Sequence, residues 1–228
     1  MPKGHLLNLA LMLAFDIMPQ TLGNHGLVGK VRRRLDKGGH DLGLSLARRY
    51  NGALYQDSAD RLVLENRIFP YYQLNHEHNR IVFVGCDWYT SGYARRFALK
   101  SFQTIDRDPD RANFGAESHH VGPMKVISAI NRPSSIDVVF CNGVIGWGLD
   151  DRDEAEASFA AAHNVLRPGG HLIVGWNDLP QHAPFDLMSL PSIGRFERFT
   201  FPPLGVERHR VDHDMKHVFD FFAKPKSG

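Results

Sequence analysis

The feature that most constrains the fold is a change of periodicity at Arg80. Before it, Pro19, Gly23, Gly26, Gly29, Gly38, Gly39 and Pro70 break the chain into short helical and irregular pieces. After it, short apolar runs alternate with amphipathic segments. Ile81-Val82-Phe83-Val84 is a continuous apolar run ending at Gly85, as expected of a strand covered on both faces. Residues 101–105 read as a second strand ending at Asp106, 118–121 as a third, 136–141 as a fourth and 171–175 as a fifth. Thr90 or Ser91 suits the cap of a helix after the first strand, with Tyr93 and Phe97 one turn apart. Asp150, Asp151 and Asp153 suit the start of another helix, where Ala155, Phe159, Ala162 and Leu166 form one buried stripe and Pro168-Gly169-Gly170 closes it. In the tail, 205–211 and 216–223 read as an antiparallel hairpin turning through 212–215. The expectation is an α/β chain: a doubly wound, mostly parallel seven-stranded sheet with one reversed strand near the C-terminus, plus an N-terminal helical extension. Residues 1–79 are read as the extension or lid, and 80–228 as the sheet domain.

A chain of 228 residues with 43% hydrophobic and 23% charged content can bury one sizeable core. The net charge of +2 argues against nucleic acid as the main partner. Lys30, Arg32, Arg33, Arg34 and Lys37, opposed by Asp36, form a local basic cluster. It reads as a solvated helix face or as a contact for an acidic ligand, phosphate or anionic lipid. Cys86 and Cys141 offer neither a disulfide framework nor metal-ligand spacing, so a cytoplasmic location is expected. His119, His120, His209 and His213 lack the spacing of a metal site.

The apolar stretch 6–15 lacks a cleavage site and is too short to span a bilayer, so a helix packed on the domain is expected over membrane contact. Leu42, Leu46 and Arg49 share one helical face, and Ala59, Leu62, Val63 and Asn66 another. The apolar load of 6–17 and 54–72, including Phe15, Tyr55, Phe69, Tyr71 and Tyr72, suits either a cover over the site or a homodimer interface.

Ligands of open α/β sheets bind beyond the carboxyl ends of the strands. That rule nominates 85–91, 106–110, 142–150 and 176–182, joined by 212–215. Gly85 lets backbone approach a ligand. Asp106, roughly 20 residues on, suits the hydroxyls of a ribose, or else a helix cap. In 142–150, Gly143, Gly146 and Gly148 surround Trp147, which covers a ligand that the backbone approaches or plugs the domain against the N-terminal helices. His182, His213 and His120 are the mouth-side candidates for a base, with Asp178 and Asn177 placed to orient an acceptor.

Val84-Gly85-Cys86, Thr104-Ile105-Asp106, Ile136-Asp137-Val138-Val139 and Leu166-Arg167-Pro168-Gly169-Gly170 resemble the ordered motifs of class I S-adenosylmethionine-dependent methyltransferases, over about residues 80–223. The resemblance implies S-adenosylmethionine as cofactor and O- or N-methylation of a small-molecule acceptor. It implies cofactor contacts from Gly85, Cys86, Asp87, Asp106, Arg107, Asn142, Gly143 and Trp147, catalytic roles for His182, His213 and Asp178, and no metal.

The family's acid-x-Gly-x-Gly-x-Gly loop is reduced here. Phe83 stands for the acid, Asp87 and Tyr89 for the later glycines, and Gly122-Pro123-Met124 where an adenine-contacting acid often follows the third strand. A catalytically inactive binding or structural module is therefore the alternative. A nicotinamide oxidoreductase shares the Gly85/Asp106 logic but lacks Gly-x-Gly-x-x-Gly, and no Asn-Pro-Pro-Tyr-like motif supports a base-flipping enzyme.

Overall fold

The computed structural model describes residues 58–212 and 214–226, which belong to one compact unit, Gln56–Gly228. The readings placed on 6–17, 30–37, 42–49 and Tyr55, and on His213, lie outside the described residues.

Five strands form the parallel part of the sheet: β1 (Arg80–Val84), β2 (Ser101–Asp106), β3 (Ser118–Val121), β4 (Ile136–Asn142) and β5 (Leu166–Asn177). With β6 (Glu197–Arg198), β7 (Arg208–Arg210) and β8 (His217–Ala223), the order is β3-β2-β1-β4-β5-β8-β6, and β7 also pairs with β8. β8 runs antiparallel to β5, and β6 and β7 run antiparallel to β8. The expected frame with its reversed strand and terminal hairpin is observed. The additional strand, β6, is a two-residue pairing beside the end of β8.

Alternation along the strands sorts the core into two layers, because successive side chains point to opposite faces. Val82, Val84, Val139 and Cys141 pack with Ala155, Phe159 and Ala162 of a 14-residue helix, Arg152–Val165. Ile81, Phe83, Val138 and Phe140 pack on the other face with Leu64, Ile68, Phe69 and Tyr72. Phe69 is the hub of that second layer, edge-on to Tyr93, Phe97 and Phe140 with centroids 4.8, 5.0 and 5.4 Å away.

The segment that supplies Phe69 runs from α1 (Ala59–Val63) through a π-helical turn (Leu64–Ile68) into α2 (Phe69–Leu74). Its buried residues are Arg61, Leu64, Glu65, Ile68, Phe69 and Tyr72. Of the face shared by Ala59, Leu62, Val63 and Asn66, Ala59 and Val63 pack partly against that layer while Leu62 and Asn66 are exposed. Burial of Arg61 and Glu65 is possible because both are satisfied there. Glu65 accepts from Tyr93 Oη at 3.0 Å and from Arg96 Nη2 at 2.7 Å, and Arg61 donates to Tyr93 Oη at 3.2 Å.

Two short helices, α3 (Tyr93–Arg96) and α4 (Ile127–Ile130), and the longer α5, the Arg152–Val165 helix, complete the chain order. Asp151 caps α5, its carboxylate accepting from Glu154 N at 2.8 Å. The helix stops at Val165, one residue short of the expected stripe. Leu166 is extended yet fully buried, and Ser134 N and Ser135 N take the carbonyls of Asn164 and Val165. The helix that carries Tyr93 has Gly92 at its N-cap and no side-chain cap, neither Thr90 nor Ser91; between it and β1, Asp87 caps a separate turn. Asp87 receives Trp88 N at 2.7 Å, and Thr90 Oγ1 accepts from Asp87 N at 3.1 Å, closing a short 3-10 turn. Among the described residues no helix is long and apolar enough to cross a membrane.

Candidate cofactor site and its surroundings

The carboxyl ends of β1, β2 and β4 open onto a cavity of about 310 Å³, within the size range of small-ligand sites. Its floor is the turn after β1. Gly85 adopts φ +96°, and a Cβ there would lie 2.7 Å from Val144 Cγ2 and 2.8 Å from Asn142 O. Only glycine lets β1 leave the sheet this close to β4. Asp87 has an ordinary extended backbone (φ −154°), so this position needs no glycine. Its side chain turns to cap the 3-10 turn and pairs with Arg111.

Asp106 closes the adjacent wall. One carboxylate oxygen accepts from Cys86 N at 2.6 Å and the other from Asp108 N at 2.8 Å. Those two bonds tie the β1 and β2 turns together. The other charges around the cavity are matched. Arg111 pairs with Asp87 and Asp108, while Arg107 pairs with Glu154 and donates to Gly148 O. Among the described residues no ion pair forms at Asp106, so its remaining lone pairs are left for a hydroxyl donor. Met124, Val144 and Leu149 supply apolar wall.

Of the residues expected to hold cofactor, Gly85, Cys86, Asp87, Asp106, Arg107, Gly143 and Trp147 line this cavity. Asn142 does not: its carbonyl faces Gly85, but its side chain lies over Gly175 on β5. Trp147 is 59% exposed and stacks on His182 with centroids 4.6 Å apart. His182 backs that indole without lining the cavity. Asp178 accepts from Arg210 at 2.6 Å, away from the cavity lining, and His120 sits within β3. Cys86 is buried, and burial followed by the Asp106 charge pushes its thiol up to about 12. Cys141 lies in the α5-side core rather than at the mouth, and burial alone pushes it up to about 12.

Two residues not among those expected to hold cofactor sit at the edge of the cavity. Tyr89, in the place of the third glycine, lines it, and the Arg61 guanidinium lies 4.2 Å over the Tyr89 ring. Arg61 Nη2 is also 3.6 Å from where a Cβ on Gly143 would stand. No local pattern marks Arg61 as a site residue, because it reaches the mouth only through the packing of α1 on β1 and β4.

No family model and no curated protein matches the sequence. Among solved structures, the chain is similar to the N-methyltransferase NodS from Bradyrhizobium japonicum WM9. That likeness has a TM-score of 0.53 and 15% identity, covering 75% of this chain and 100% of that one. NodS in complex with S-adenosyl-L-homocysteine matches with a TM-score of 0.51 and 16% identity, covering 75% and 94% of the respective chains. At such identities the likeness is one of fold. The chain has the fold of the class I S-adenosylmethionine-dependent methyltransferases, as its motifs implied.

Proposed function

We propose that this chain is an S-adenosylmethionine-dependent methyltransferase acting on the oxygen or nitrogen of a small-molecule acceptor. The observation that carries the reading is Asp106. Its carboxylate is held by two backbone N–H groups beside Gly85, without a cation partner among the described residues, at the mouth of a parallel sheet. That arrangement suits the two hydroxyls of a ribose. Gly85 and Gly143 admit the ligand against backbone, Met124 and Leu149 flank a flat apolar ring, and Trp147 covers a sulfonium.

Bound there, S-adenosylmethionine supplies an electrophilic methyl group; the chain's own part is to bind, orient and exclude water. Titration calorimetry with S-adenosylhomocysteine and transfer of tritiated methyl to a panel of phenols, alcohols and amines test this. Absence of binding overturns it. The second reading, a binding module without turnover, is favoured by Asp87 and Tyr89 filling the turn where glycines are usual. Binding without any transfer would establish that alternative.

A further inference from the structure

Beside the cofactor cavity lies a cluster of buried polar side chains, two of which carry unpartnered polar atoms. Asn142, at the end of β4, and His217, at the start of β8, are each 4% exposed, and Asn177, at the end of β5, is 9% exposed. Neither Asn142 Oδ1, Asn142 Nδ2 nor His217 Nε2 has a hydrogen-bond partner among the described residues. The Asn142 and His217 side chains meet at Gly175. A Cβ on that residue would run into Asn142 Oδ1 and would stand 3.0 Å from His217 Nε2. Leaving such atoms unpaired and shut from water is costly. They therefore mark a place where a polar partner belongs.

The electronic state of the histidine follows from its other nitrogen. His217 Nδ1 is 2.7 Å from Asn177 Oδ1, which can only accept, so Nδ1 carries the proton and Nε2 presents a lone pair. Burial pushes the imidazole down to about 4, with Asp60 opposing and Arg61 assisting. The ring is thus neutral at physiological pH. The charged groups facing it, Asp60 and Arg61, both come from α1, and Arg61 bridges to the cofactor cavity through Tyr89 and Gly143.

We propose that Asn142 and His217 form the acceptor's seat: an uncharged O–H or N–H group is hydrogen-bonded there, with His217 as the base that removes its proton. This rests on the methyltransferase activity proposed above. In a hydroxyl or phenol the O–H bond breaks, its proton goes to Nε2 and its electron pair stays on oxygen; a neutral amine uses its nitrogen lone pair and passes its N–H proton to Nε2 as the nitrogen gains positive charge. The oxygen or nitrogen forms the new bond to the methyl carbon while the C–S electron pair remains on sulfur as a thioether. The imidazolium releases its proton to water once the methylated product has left the seat. Asp60 and Arg61 pair with each other at 3.6 Å and act on the ring with opposite signs, so the seat offers no net charge to hold an ion, and a hydroxyl, phenol or neutral amine fits it. Asn177 is a positioning residue that fixes the tautomer.

Three measurements on the full chain separate this from the cofactor reading. Calorimetry should show S-adenosylhomocysteine binding to wild type and to His217→Gln with affinities within about threefold; no binding by wild type overturns the cofactor reading instead. Nitrogen NMR of labelled histidine should find His217 neutral, protonated at Nδ1, and untitrated at pH 6. The opposite tautomer, or ordinary titration near 6.5, overturns the seat whatever the cofactor result. In tritiated-methyl transfer to the phenol, alcohol and amine panel, His217→Gln should lower kcat by about 10²–10⁴-fold with the KM for S-adenosylmethionine little changed. Asn177→Asp should retain turnover and move its acid limb upward by about one pH unit or more. A His217→Gln loss below about tenfold, or an unmoved acid limb in Asn177→Asp, sinks the proposal.

Discussion

Asp137 and Arg167 are joined by a 2.6 Å ion pair at the end of the sheet opposite the cavity. The pair links the two most specific motifs, the Ile-Asp-Val-Val strand and the Leu-Arg-Pro-Gly-Gly segment. The same carboxylate accepts from Asn79 N at 2.8 Å and Arg80 N at 2.7 Å, and Arg167 also donates to Glu77 O at 3.0 Å. The entries to β1, β4 and β5 are thereby held in register. These motif residues serve the fold, far from the cavity.

Burial pushes the Asp137 carboxyl up, but the Arg80 N–H, the Arg167 side chain and the Asn79 N–H outweigh it and hold it below the usual carboxylate range. A carboxyl depressed in the folded state contributes stability that is complete above its unfolded value, near 3.9, and lost as pH falls below it. Asp137→Ala is expected to lower unfolding stability by roughly 1.5–3 kcal/mol at pH 7. In urea titrations the gap to wild type should narrow between about pH 4 and pH 2; a gap independent of pH would assign the loss to packing alone.

Gly85→Ala and Gly143→Ala should differ, although both glycines have positive φ. At Gly85 the added methyl meets strand backbone and Val144, so strain and collision together should cost roughly 2–5 kcal/mol. At Gly143 it meets Arg61 Nη2 alone, at 3.6 Å, and the cost should be roughly 1–2 kcal/mol from conformation. Urea midpoints read both, and equal losses would remove the collision from the account.

Asp106→Ala should weaken S-adenosylhomocysteine binding by roughly 1.5–3 kcal/mol in calorimetry, the scale of a charge-assisted hydrogen bond. Asp106 also holds Cys86 N and Asp108 N, so stability should fall as well. Unchanged affinity in a folded variant would take Asp106 out of the cofactor site.

Both thiols should resist alkylation at pH 8, since each is buried and pushed up to about 12. Saturating S-adenosylhomocysteine should slow labelling of Cys86, which lines the cavity, and leave Cys141 unaffected. Mass spectrometry of labelled peptides gives the two rates separately. Protection of Cys141 alone would contradict the placement of the cofactor.

The architecture was legible in the sequence because its signals are local. Continuous apolar runs such as 81–84 and 136–141 declare strands covered on both faces, and Asp151 declares a helix start within a few residues. Gly85 and Asp106 were legible too, since a parallel strand must turn where its apolar run ends and the topology sends that turn to the mouth. The tertiary structure decided what no neighbouring residues encode. Arg61 and Glu65 look like an outward helix face until Tyr93 and Arg96, from another helix, provide their partners. Asn142, Asn177 and His217 come from three strands, and His217 faces Asn177 only because β8 runs antiparallel to β5 in that one register. A shift of one residue would turn the imidazole to the opposite face of the sheet.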